Sequence, residues 1–126
     1  MHVSKVDLEP TVLGNYEGRS VDAGGFRIAF ESMPAHFPPD ESPFKGLPGD
    51  RCQRDHWGYL IAGSFRVTYS GSDEHEIVRA GAAYHLRPGH FVQTLEPVEL
   101  IELSPVAEHD RTMAVVARNV GAVMAG

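Results

Sequence analysis

From Trp57 to Leu103 the chain is cut into six short runs, each closed by a turn signal. Trp57–Ala62 stops at Gly63, Phe65–Tyr69 at Ser70-Gly71-Ser72-Asp73, and Glu76–Arg79 at Ala80-Gly81. Ala83–Leu86 stops at Arg87-Pro88-Gly89, His90–Leu95 at Glu96-Pro97, and Val98–Leu103 at Ser104-Pro105. Phe65-Arg66-Val67-Thr68-Tyr69 alternates apolar and polar residues, the period of a strand with one buried face. Turns this close together leave no room for crossover helices. The pattern predicts an all-β sandwich or barrel rather than a βαβ fold.

Upstream, Phe26–Met33 also alternates, with Phe26, Ile28 and Phe30 facing one way and Arg27 and Glu31 the other. Residues 14–25 carry Gly14, Gly18, Gly24 and Gly25 and read as turns. Residues 1–13 read as a short edge strand or an extended arm, because Pro10 argues against a helix. Residues 34–49 contain Pro34, Pro38, Pro39, Pro43 and Pro48, which excludes a helix or a central strand. A loop of this length either acts as a lid or tucks Phe37, Phe44 and Leu47 onto the barrel. The tail changes period. Met113, Val116, Ala117 and Val120 fall at helical spacing behind Asp110 as N-cap, so a helix over about residues 110–121 is expected, packed on the barrel or serving as a dimer contact.

The 126 residues suffice for one domain, 1–126, with a barrel core over about 26–104. Lys and Arg number 11 against 17 Asp and Glu, for a net charge of −6, and form no basic cluster. Nucleic acid is therefore not an expected partner. No apolar run reaches membrane-spanning length and no signal-peptide pattern opens the chain, so no membrane association and a cytoplasmic location are expected. The single Cys52 has no disulfide partner within the chain and suits a reducing compartment.

Chemistry concentrates in Asp50-Arg51-Cys52-Gln53-Arg54-Asp55-His56, which runs directly into Trp57-Gly58-Tyr59-Leu60. If the chain is extended from Cys52, then Cys52, Arg54 and His56 share a face with Gly58 and Leu60, and Trp57, Tyr59 and Ile61 take the other. A thiol and an imidazole on one face form a candidate metal site. A buried structural thiol beside a hydrogen-bonded His is the plainer alternative.

These blocks resemble the cupins, small double-stranded β-helix (jelly-roll) barrels, over roughly residues 26–104. The resemblance rests on His56-x6-Gly63, a strand–turn–strand unit, then Gly81-x6-Pro88-Gly89-His90 and the strand to Leu103. It is most specific to short bacterial cupins with a Cys-x3-His-Trp-Gly-Tyr block and a Pro-Gly-His block. The cupin pattern, G-x5-H-x-H-x3/4-E-x6-G followed by G-x5-P-x-G-x2-H-x3-N, places two His, a Glu and a later His on a metal. Here His56 stands at the Glu position, Asp50 and Cys52 at the first two His positions, Val92 at the late His and Glu96 at the Asn. His90 stands two residues before Val92 and shares its face in a strand. The resemblance thus implies a ligand set rebuilt as Cys52, His56 and His90, with Asp50, Glu102 or His85 as a fourth ligand.

Such a set suits a divalent metal: zinc or iron, with nickel or copper also compatible, or the barrel holds none. The resemblance implies a metal-dependent small-molecule enzyme such as a dioxygenase or isomerase. His85 or Glu102 would act as base or ligand support, Tyr59 would donate to substrate, and Trp57, Phe91 and the 34–49 loop would shape the pocket. The alternative is a non-catalytic module that binds a small ligand or senses metal or oxidant through Cys52. A homodimer is expected from the resemblance alone.

Overall fold

The computed structural model describes residues 1–125, with side chains through Val120. Strands β1 (Thr11–Leu13), β2 (Tyr16–Ala23), β3 (Phe26–Met33), β4 (His56–Ala62) and β5 (Ser64–Tyr69) come first. They are followed by β6 (His75–Arg79), β7 (Ala83–Leu86), β8 (His90–Thr94), β9 (Val98–Pro105) and helix α1 (Val106–Ala125). A six-stranded sheet runs β1-β2-β3-β9-β4-β7 and a three-stranded sheet runs β6-β5-β8, with every pairing antiparallel. The fold is all-β, two sheets facing each other as a jelly roll, with one C-terminal helix.

The core lies between the sheets. Leu60 from β4, Leu86 from β7, and Val98 and Leu100 from β9 meet Phe65 and Val67 of β5 and Val78 of β6. Apolar burial of this kind is the main favourable term in folding. Gly63 turns β4 into β5 with a left-handed φ of 85°, and a Cβ there would strike the Pro97 carbonyl. Only glycine fits that corner.

Two sequence expectations are corrected. Residues 14–25 are not simply turns: Tyr16–Ala23 form β2, paired along its length with β3, and glycines turn the chain at either end. Gly18 stays in the strand because the Tyr16 ring lies across it and fills its side-chain space. The sheet therefore begins well before residue 26. The helix also starts earlier than residue 110. β9 runs straight into Val106, whose N–H is held by the Gly25 carbonyl, so Asp110 lies inside the helix and pairs with Arg27 instead of capping.

The Pro-rich segment holds two short 3-10 turns, Ser42–Phe44 and Pro48–Asp50. It is strapped to β8: the Thr94 hydroxyl donates to the Pro34 carbonyl and accepts from the Phe37 N–H, and Gln93 reaches the Pro38 carbonyl. Phe37 stacks on Tyr16 and Phe44 packs edge-on against Phe91. Asn119 of α1 donates to the Pro43 and Lys45 carbonyls, tying helix to loop. Among the described residues no helix is long and apolar enough to cross a membrane.

Candidate metal centre

Strand register decides which side chains meet. On β9, Val98, Leu100, Glu102 and Ser104 point inward, as their burial shows. Opposite them β4 sends His56, Gly58 and Leu60 inward. On β8, His90, Val92 and Thr94 face the same way as Tyr69, Val67 and Phe65 of β5. Cys52 precedes β4 and pairs with His90 as an isolated bridge. Its N–H donates to the His90 carbonyl at 3.0 Å, and the Gly89 N–H donates to the Cys52 carbonyl at 2.8 Å. The turn at Pro88-Gly89 thus presents His90 directly to the Cys52 segment.

The result is one cluster. A ligand atom from each of Cys52, His56 and His90 lies within 4.8 Å of the others. Each of these residues is only 3% exposed. Cys52 Sγ is 3.5 Å from His56 Nε2, and the two imidazoles meet edge-on with centroids 5.0 Å apart.

The remaining ring nitrogens are spoken for. His56 Nδ1 lies 2.9 Å from Glu102 Oε2 and 3.1 Å from Ser104 Oγ. His90 Nδ1 donates to the Arg87 carbonyl at 2.7 Å. Both histidines therefore carry their proton on Nδ1 and turn the Nε2 lone pair inward, the tautomer that ligation needs. Burial, then the charge of Arg54, pushes His56 well below the usual histidine range. Burial, then His56, pushes His90 down to about 4. The contact of His56 with Glu102 is thus a hydrogen bond from a neutral ring, not an ion pair. Burial raises the Cys52 thiol, the opposite of an exposed, low-pKa redox thiol.

Behind the cluster stands a second polar layer. Tyr84 Oη donates to Glu102 Oε1 at 2.8 Å, which fixes that carboxylate against His56. Gly58 makes room for this, because a Cβ on it would land in the Tyr84 ring. Burial, then Glu102, raises the Tyr84 phenol. Glu31 is pushed up to about 7 by burial and then by Glu102.

Of the residues singled out from sequence, Cys52, His56, His90 and Glu102 come together. His85, Tyr59, Trp57, Asp50 and Phe91 do not. His85 lies opposite Trp57 on the outer face of the large sheet, stacked on its indole at 5.0 Å and bonded to Asp55 at 2.9 Å. Tyr59 is also outside, 48% exposed. Parity is the reason: both alternate with inward residues, Leu86 and Tyr84 for His85, Gly58 and Leu60 for Tyr59. Asp50 is exposed and accepts from the Gly46 N–H within its own loop. Phe91 alternates with His90 and packs outward beneath Phe44 and Arg51. The residue that sequence undervalued is Arg54. Its Nε donates to His56 Nε2 at 2.8 Å, and its Nη1 meets His109 Nδ1 of α1. Its shared parity with Cys52 and His56 was the available signal.

No family model matches the chain, and no curated protein matches it in sequence. Solved structures do match. Oxalate decarboxylase from Bacillus subtilis superposes with a TM-score of 0.59 at 16% identity, covering 82% of this chain and 28% of that one. The fold is that of the cupins. Ectoine synthase from P. lautus aligns with a TM-score of 0.60 at 12% identity, over 83% of this chain and 77% of its own. A Vibrio parahaemolyticus protein of unknown function, VPA0057, gives 0.54 at 9% identity, over 79% of this chain and 98% of the solved domain. This chain spans little more than a quarter of the oxalate decarboxylase chain. At these identities the likeness concerns the cupin barrel itself.

Proposed function

We propose that this cupin is a metal-dependent enzyme acting on a small molecule inside the barrel, with Cys52, His56 and His90 as the metal ligands. One observation carries the reading. Three buried donors converge within 4.8 Å, and each imidazole has its other nitrogen committed to a hydrogen bond. The donor set fits: a thiolate with two neutral imidazoles suits zinc, iron, nickel or copper, and three protein ligands leave a position for substrate or water.

A bound metal of this kind supplies Lewis acidity and an activated water and, if it is iron or copper, access to oxygen chemistry. The protein's own residues do the rest. Glu102, braced by Tyr84, orients His56 and makes it a better donor. Ser104 shares the same Nδ1 proton. Leu60, Phe65 and Leu86 keep the floor dry, which strengthens every polar contact above it. A redox-sensing role for Cys52 is disfavoured by its burial and raised thiol.

The test is elemental analysis of untagged protein beside Cys52→Ala, His56→Ala and His90→Ala. Near-stoichiometric metal in the wild type, lost in all three variants, is expected. Absence of metal in the wild type after reconstitution with zinc, iron, nickel and copper ends the reading.

The same proposal includes a homodimer. The outer face of the large sheet exposes Phe26, Trp57, Tyr59, Ile61 and Leu103, a patch of the kind that marks association sites. Light scattering that returns a monomer at micromolar concentration rejects it.

A further inference from the structure

Among the described residues Arg54 is the cation aimed into the cluster, and its contacts are unusual. Both acceptors it engages, His56 Nε2 and His109 Nδ1, are imidazole nitrogens. Each accepts an N–H, so neither nitrogen carries a proton of its own. Among the described residues no carboxylate oxygen comes within 4 Å of its guanidinium, whereas Arg19, Arg27 and Arg51 are each paired with at least one. Arg54 is half-buried, and a charge drawn out of water without a directly paired carboxylate is costly. The guanidinium has five donors in a planar fork that matches a carboxylate, and two of its nitrogens are used here.

His56 Nε2 has a single lone pair, and Arg54 Nε–H now takes it. A metal ion on His56 claims the same lone pair and sets that donor free at the edge of the site. We propose that Arg54 anchors the carboxylate of a small anionic substrate beside the Cys52, His56 and His90 cluster, so that one substrate oxygen group meets the guanidinium next to the metal. The proposal rests on the metal reading for the position of the substrate, not for the anion site itself. A singly charged carboxylate suits the place better than a phosphate dianion, because Glu102 stands 2.9 Å behind His56 and Glu31 lies close enough to feel both Glu102 and Arg54. His109 gives α1 a part in the site: it grips the guanidinium from the helix side while Glu108 Oε1 accepts from the Asp55 N–H.

The experiment uses wild-type protein, Arg54→Lys and Arg54→Met, each with and without cobalt(II). The thiolate-to-cobalt charge-transfer band reports loading, and its visible bands report ligands that enter the open position. Acetate, oxalate and chloride are titrated, and thermal unfolding is followed in parallel on chelator-treated protein. In the wild type, acetate or oxalate should shift the visible bands and raise the melting temperature beyond the chloride control. In Arg54→Met cobalt should load undiminished while carboxylate affinity falls about tenfold or more, as expected for loss of a charge-assisted pair, with Arg54→Lys between the two. Carboxylate binding within twofold of wild type in Arg54→Met overturns the proposal. So does loading of cobalt with no carboxylate response in the wild type, which leaves the metal site standing. Arg54-dependent stabilisation by carboxylate in a protein that never loads cobalt supports the anchor and removes the metal instead. No response to either probe removes both.

Discussion

The two ends of the barrel interior are built from the same strands and have opposite chemistry. At one end β4, β5 and β9 contribute Leu60, Phe65, Val67, Val98 and Leu100 to a dry apolar core. At the other, β4, β8 and β9 contribute His56, His90, Glu102 and Ser104, and the preceding segment adds Cys52 and Arg54. Only two or four residues along a strand separate the regimes: Leu100 from Glu102, Leu60 from His56. Alternation decides what points inward. Position along the strand decides whether an inward residue meets hydrocarbon or a polar partner. The polar end pays for its burial with hydrogen bonds, and no buried side-chain nitrogen or oxygen among the described residues lacks a partner.

Mutations can separate the two ends. The largest effect is expected at the apolar end. Leu60 is fully buried, and Leu60→Ala should cost about 2–5 kcal/mol, read from urea midpoints on chelator-treated protein. Metal stoichiometry of the folded fraction should stay unchanged. If the variant instead loses metal while keeping its stability, the two ends are not separable as described.

Glu102→Gln should do the reverse at the polar end. The amide keeps the shape but replaces a carboxylate acceptor, so metal affinity should fall about tenfold to a hundredfold, or about 1.4–2.8 kcal/mol. Competition with a chromophoric chelator measures it. An unchanged affinity would mean that Glu102 does not tune His56.

The smallest effect is a change of slope with pH. Glu31 is raised in the folded protein from its ordinary 4.5 to about 7, by burial first and Glu102 second. Folding therefore favours its protonated form. The stability it contributes is fully present below pH 4.5 and is lost as pH rises through 7. The trend at His109 runs the other way: burial, then Arg54, lowers it to about 3, so stability is lost as pH falls below the ordinary 6.5. Glu31→Gln should remove only the first trend, gaining on the wild type between pH 5 and pH 8 in metal-free urea titrations. A difference that does not vary with pH would show that Glu31 is not the group responsible.

The sequence alone determined the all-β class, the strands from Phe26 onward and the shared face of Cys52 and His56, because period-two alternation and glycine or proline turns are local properties of the chain. The addition of His90 was what the cupin resemblance implied, and the bridge between Cys52 and His90 brings it there. The sequence put Trp57, Tyr59 and Ile61 on the face opposite Cys52 and His56 by the same alternation, and the structure makes that the outer face. It read β2 as turns, because Gly18 is a poor strand residue until Tyr16 covers it. It drew His85 and Tyr59 toward the site by residue type, and only the pairing of Trp57 with His85 shows that they stand behind the sheet. The bracing of His56 by Glu102, the reach of Tyr84 over Gly58 and the grip of His109 on Arg54 join residues far apart in the chain. Those contacts depend on strand register and on where α1 docks, so the tertiary structure alone decided them.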